Sequence, residues 1–368
     1  MLSTGPDLGF TLITPSADID AARHGGRAKC LQRLIRLDMP VPPTVALDFA
    51  SIQDISAGQI PDLTALLDAL GEGELVSVRP SSQDSDWGGP SAILNIGMTD
   101  QSHAHLAKTH GAAAADALYL RFIQSYSNHV ARLDPDVFSH LGQGPDALAA
   151  ALELYTDETD QPFPQDPAVQ LAEVLRSMAR AWQGTTARLL REAKGAPADA
   201  GLGLVVQRMA LGVGRGLCGS GVIQFVEGAS GERGVRGRYL CQSQGRDALT
   251  LEGDHDILYL TRDARGRSIE DVLPQNFADL LRFGDLCRTR LREEMQIEFT
   301  IENEQLFILD AVRVGRSERA NLRINVALAQ DGIISREEAL MRIPPRALSE
   351  LLHSHIDPEA PRDVLATG

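Results

Sequence analysis

The chain has 368 residues, 43% of them hydrophobic and 23% charged, with a formal net charge of −15 at pH 7. That balance suits a soluble globular chain with room for two or three domains, and it argues against nucleic acid, whose binders are basic at least locally. Aromatic residues make up only 5%, too few for base-stacking platforms.

Cys30, Cys218, Cys241 and Cys287 are scattered and form no C-x-x-C pair. Free thiols in a reducing, cytoplasmic setting are expected rather than zinc. The opening "MLSTGPDLGFTLITPSAD" lacks a basic lead and an apolar core, so it does not read as a signal peptide. No run of about 18 apolar residues occurs, so no membrane partner is expected.

Residues 20–37 predict a helix with Leu31, Leu34 and Ile35 on one face. It must stop before "MPVPP", because a proline pushes the residue ahead of it out of the helical region. "TVALDFA" reads as a short strand and residues 62–70 as a helix. In "LVSVR", Leu75, Ser77 and Arg79 point one way, Val76 and Val78 the other. This strand ends in an arginine just ahead of a Gly88-Gly89-Pro90 loop. The pattern suits an anionic ligand such as a phosphate; an ordinary turn with an arginine nearby is the alternative.

Residues 104–132 predict one helix. After "PFPQDP", Asp166 can cap a helix with Pro167 in its first turn. That helix carries Leu171, Val174, Leu175, Met178 and Trp182 on one side and ends near Gly195. Strands follow at 202–211, 219–228 and 237–245, then a linker near 253–275, a helix beginning at Phe277, and a hairpin, "QIEFTIENEQLFILDAV". The tail reads as helical, with Ser335 and Glu338 as a capping box. The order is mixed α+β, with two strand-rich regions around a helical one.

Several stretches, in order, resemble one family. "GGRAKCLQRLIRLDMPVPP", "LVSVRPSSQDSDWGGPSAILNIGMTD", "RFIQSYSNHV", "PFPQDPAVQL", "MQIEFTIENEQLFILDAV" and "DGIISREEALMRIPPRALSELLHSHIDP" are similar to the N-terminal nucleotide-binding region of the pyruvate, phosphate dikinase and phosphoenolpyruvate synthase family. The resemblance implies an α+β fold of ATP-grasp type, two subdomains clamping a nucleotide. Its expected divisions are 1–100, a helical segment 101–200, a second subdomain 201–315 and a helical tail 316–368. The family's phosphohistidine and phosphoenolpyruvate/pyruvate domains have no matching stretch here. "KTHGAAAAD" echoes the phosphohistidine motif only superficially, and His110 reads as structural or solvent-exposed.

Phosphoryl transfer needs cations around the phosphates, metal-binding carboxylates and backbone donors. By the resemblance, Arg79 matches a triphosphate-binding arginine, whose guanidinium can fork onto two oxygens; a surface ion pair is the alternative. Arg27 stands where the family has a phosphate-binding lysine. Gly88 and Gly89 lie in the loop expected to cover the phosphates, where Pro90 removes one donor. Gln207 could line a purine pocket or be a strand residue on a polar face. Glu298 matches a metal-binding glutamate, and Asp310 replaces a glutamine. If residues 303–305 form the hairpin turn, these two carboxylates face each other and would repel without a cation or proton between them. Magnesium, which takes hard oxygen ligands, is the expected cation; an exposed pair diluted by water is the alternative.

Val312, Arg238, Val226 and Gln296 depart from the family, standing in place of an arginine, a metal-linked glutamate, another arginine and an aspartate. Arg238 could restore charge from a different strand. Three functions stay open: an ATP- and magnesium-dependent phosphotransferase passing phosphate to a histidine or small acceptor on a separate protein; a catalytically degenerate nucleotide-binding regulatory or assembly partner; and a ligase or kinase with a rewired site.

Overall fold

The computed structural model describes residues 9–245, 247 and 256–345. In chain order the elements are β1 (Thr11–Leu12), α1 (Ala21–Arg36), β2 (Thr44–Leu47), α2 (Phe49–Ser56), α3 (Leu63–Leu70), β3 (Val76–Ser82) and β4 (Ile93–Ile96). Then come α4 (Asp100–Thr109), α5 (Ala112–Tyr126), α6 (Pro145–Thr159), α7 (Pro167–Gln183) and α8 (Thr185–Ala193). The strands β5 (Leu202–Arg208), β6 (Gly219–Val226), β7 (Arg233–Cys241) and β8 (Ile257–Leu258) precede α9 (Ile269–Val272) and α10 (Pro274–Leu286). β9 (Met295–Glu302), β10 (Gln305–Arg313), α11 (Glu318–Gln330) and α12 (Arg336–Met341) complete the described chain. The strands form two five-stranded sheets, ordered β1-β2-β5-β3-β4 and β10-β9-β6-β7-β8. This is the α+β, ATP-grasp-like class expected from the resemblance.

The chain divides into two compact units. One holds the chain up to Ile223 with Gly237–Leu280 and Ile297–Ala311; the other holds Gln224–Arg236, Leu281–Gln296 and the chain from Val312.

In the first unit, β5 lies at the centre of its sheet, antiparallel to β2 and β3. Both β3 and β5 are buried almost throughout, which their runs of valine and leucine permit. Asp20 caps α1, accepting from Ala22 N. Leu31 and Leu34 are fully buried as expected, and Ile35 is half-buried. The sequence pattern does not reveal that α1 is kinked: Gly25 has φ 85° and ψ 169° inside it. Ser81 on β3 fills the break. Its hydroxyl accepts from Ala28 N at 3.0 Å and donates to His24 O at 2.7 Å, satisfying the two groups that the kink separates. A Cβ at Gly25 would lie 1.8 Å from Ser81 O, so only glycine lets helix and strand approach this closely.

The single helix expected over 104–132 is two, α4 and α5, broken at Gly111 with φ 101°. α6 was not anticipated, because its alanine-rich start blurs the apolar stripe. α7 is capped by Asp166 through Ala168 N and buries Leu171, Val174, Leu175, Met178 and Trp182. It stops at Gly184 rather than near Gly195, where a separate helix, α8, ends. Phe122, Tyr126, Tyr155 and Phe163 pack edge to face with centroids 5.1–5.6 Å apart for the Phe122–Phe163, Tyr126–Phe163 and Tyr155–Phe163 pairs.

β7 begins at Arg233, earlier than residue 237, and the 253–275 linker contains β8 and α9. The hairpin turn is Asn303-Glu304, both left-handed with φ 49° and 65°, one residue shorter than a 303–305 turn. A reciprocal amide pair joins β4 to the segment that follows β7 within this unit. Asn95 Nδ2 donates to Gln244 Oε1 at 2.9 Å and Gln244 Nε2 to Asn95 Oδ1 at 2.8 Å, both residues being buried.

The second unit has a small core of Val226, Val314, Ala320, Ile324, Leu328, Ile334 and Ala339. Buried Arg288 pairs with Glu294 at 2.7 Å and Asp331 at 2.6 Å. Half of the expected capping box forms: Ser335 accepts from Glu338 N at 3.1 Å, but the Glu338 carboxylate turns to Arg292 and Arg342 instead. The rest of the expected helical tail, from residue 346, lies outside the described residues.

Candidate functional site

A cavity of about 390 Å³ in the first unit is lined by Arg27, Ser77, Arg79, Gln207, Glu298 and Leu309, among others. Strand periodicity aims Ser77 and Arg79 into it, while Val76 and Val78 are 1% and 0% exposed in the core. Register places Ser77 beside Gln207 and Arg79 beside Val205. Gln207 is buried, with its amide nitrogen donating to Thr44 Oγ1 at 2.8 Å. Arg27 follows the Gly25 kink by half a turn, and its Nη1 donates to Pro80 O on β3.

The two arginines meet on Asp310. Arg27 Nε and Arg79 Nη2 each donate to Asp310 Oδ2 at 2.7 Å, and Arg79 Nη1 donates to Leu309 O at 3.2 Å. Asp310 is 1% exposed and Arg79 9%, so water screens this cluster little. Glu298 Oε2 lies 3.9 Å from Arg79 Nη2. Burial alone would raise the Asp310 carboxyl, but Arg27 and Arg79 overcome it and hold the group well below the usual carboxylate range. Burial pushes Glu298 up, Asp310 adds to this, and Arg79 and Arg27 oppose it. Burial would lower Arg79, yet Asp310 and Glu298 keep it above its ordinary value. Two guanidiniums and two carboxylates therefore sum to no net charge.

The two-residue turn sets Glu298 opposite Leu309 rather than Asp310, so the two carboxylates do not face each other across the hairpin; the cation beside both is Arg79. Asp310 does not fit a magnesium site as it stands: Oδ2 holds both guanidiniums, and Oδ1 accepts from Ala311 N at 2.9 Å. Among the described residues, no group of three or more His, Cys, Asp or Glu side chains could hold a metal ion.

Gly88 and Gly89 do not line the cavity; Pro80, Ala92 and Leu94 from the two ends of their loop do. Gly89 packs beneath that loop, where a Cβ would lie 3.3 Å from Pro80 and 3.8 Å from Trp182. Arg238 is on β7, separated from the Glu298 strand by β6, and is not among the lining residues. His110 is tied to Thr109 at 2.9 Å and Glu302 at 3.2 Å, in keeping with a structural role. Sequence reasoning missed Ser81, Thr44 and a neighbouring cavity of about 500 Å³ that shares Ala92 and Leu94. That cavity holds Arg121, whose Nη1 pairs with Asp247 at 2.7 Å. Its only signal was the position of Arg121 at the head of "RFIQSYSNHV".

No helix among the described residues is long and apolar enough to cross a membrane. No family model matches the chain. The chain is 31% identical to pyruvate, phosphate dikinase of Rhizobium meliloti (strain 1021), over 95% of its own length and 43% of that protein. It is 25% identical to pyruvate, phosphate dikinase 2 of Oryza sativa subsp. japonica, over 94% of the chain and 42% of the relative. For pyruvate, phosphate dikinase of Clostridium symbiosum the figures are 29%, 78% and 34%. The chain spans less than half the length of these relatives. By descent it belongs with the pyruvate, phosphate dikinases, as a homologue of one region of them.

Proposed function

We propose that the chain is a nucleotide-binding module of phosphotransferase type, holding ATP in the cavity between Arg27, Arg79, Gln207 and Glu298. One observation carries this reading: Arg27 from a kinked helix and Arg79 from a strand converge on a single cavity. Its volume of about 390 Å³ is within the usual range for small-ligand sites. Arg79 and Arg27 would meet the phosphates with planar, forked donors, and Gln207 would offer its amide to the base. Ser77 adds a hydroxyl on the same wall. Descent from the pyruvate, phosphate dikinases supports the phosphoryl-transfer class, and a histidine on a separate protein is the acceptor this reading favours. No step is assigned to a metal, because Asp310 is committed to the arginines.

A second reading, binding without turnover, is favoured by that same commitment and by Val312, which stands where the resemblance expects an arginine. The test is thermal stability with ATP, with and without magnesium. A ligand at about a hundred times its dissociation constant adds roughly 2.7 kcal/mol. Absence of any shift sinks both readings; a shift without ATP consumption favours the second.

A further inference from the structure

We propose that Asp310 is a resident counter-anion that sets the phosphate affinity of this cavity, a deepening that rests on reading the cavity as a polyanion site. Two of the three arginines that line the cavity, Arg27 and Arg79, spend their best-placed donors, Nε and Nη2, on one oxygen of Asp310 at 2.7 Å; Arg208 is the third. An incoming phosphate needs those same donors and that same positive charge. Asp310 is 1% exposed, so its charge acts at short range with little screening. With Glu298 added, these four groups carry no net charge, and of the cavity's arginines only Arg208 lies outside the cluster. Phosphates therefore bind weakly until the Asp310 contacts are broken, and specificity shifts toward ligands that bring their own countercharge or release the carboxylate. A glutamine at this position would hold the guanidiniums through its amide oxygen without cancelling them. The choice of aspartate is thus a choice of charge rather than of hydrogen bonding.

The experiment measures inorganic tripolyphosphate binding by titration calorimetry to the full chain, wild type against Asp310→Asn. Asparagine keeps an acceptor oxygen for both arginines, removes the charge and gives up the acceptor that Ala311 N uses. The expected result is binding at least tenfold tighter in the variant, about 1.4 kcal/mol, with a steeper salt dependence. The gain should vanish in the Arg79→Ala/Asp310→Asn double variant. Binding by D310N that is no tighter than wild type, including the case where neither binds, overturns the proposal, as does a gain that survives loss of Arg79. Asp310→Gln serves as the second variant should asparagine fail to fold. The nucleotide reading is decided separately: tripolyphosphate binding to D310N with no ATP binding to either protein sinks that reading and leaves the counter-anion intact.

Discussion

Replacing Arg79 with methionine keeps much of the side-chain volume and removes the guanidinium from the centre of the charge cluster. The variant loses the bond to Asp310 at 2.7 Å and that to Leu309 O at 3.2 Å. An exposed ion pair of this kind contributes about 0–1 kcal/mol, whereas stranding one member of a buried pair costs about 3–5 kcal/mol. Asp310 is 1% exposed, but Arg27 still holds it, so the lower end applies, about 3 kcal/mol. Urea unfolding of wild type, Arg79→Met, Asp310→Asn and the double variant closes a mutant cycle. Neutralising Asp310 in the Arg79→Met background removes the stranded charge. The double variant should therefore be more stable than the sum of the single losses by at least about 1 kcal/mol. A cost for Arg79→Met below about 1 kcal/mol, or single effects that simply add, would refute the placement of these groups in a buried network.

Two further outcomes follow from the same geometry. Burial raises the Glu298 carboxyl in the folded state, so the fold holds this proton more tightly than the unfolded chain does. The resulting stability is complete below the unfolded value of about 4.3 and is lost as pH rises through the folded value. In Tm measurements from pH 4 upward, Glu298→Gln should gain steadily on wild type; a wild type that gains on the variant contradicts the assignment. Gly25→Ala forces a Cβ to 1.8 Å from Ser81 O at φ 85°, whereas Gly58→Ala meets open space at φ 95°. The first should cost well over the ~1–2 kcal/mol of left-handed strain that both share, read as the difference in urea midpoints, and equal costs would remove the case for a forced contact.

What the sequence showed and hid divides by the range of the interactions. The two-residue period of β3 announced which side Arg79 takes, because alternation is a property of the strand itself. The stripe and the Asp166 cap announced α7 for the same reason. The Gly25 kink stayed hidden, since the apolar stripe of Leu31, Leu34 and Ile35 lies wholly beyond it and the group that heals it, Ser81, is on another element. Arg79 and Asp310 are 231 residues apart, and nothing local to either says that they will pair. Asp310 reads as a metal ligand from the sequence because a 303–305 turn would set it opposite Glu298. Only the fold shows two guanidiniums on it.

The crossed amides of Asn95 and Gln244 carry a practical lesson for anyone dissecting this protein. Each side chain spends both its donor and its acceptor on the other, deep in the interior. A fragment ending between the two positions would keep Asn95 and lose Gln244, and a buried amide deprived of its partner costs about 1–3 kcal/mol. Truncations ahead of Gln244 should thus yield less stable material, and a stable excised piece must retain both β4 and the segment after β7.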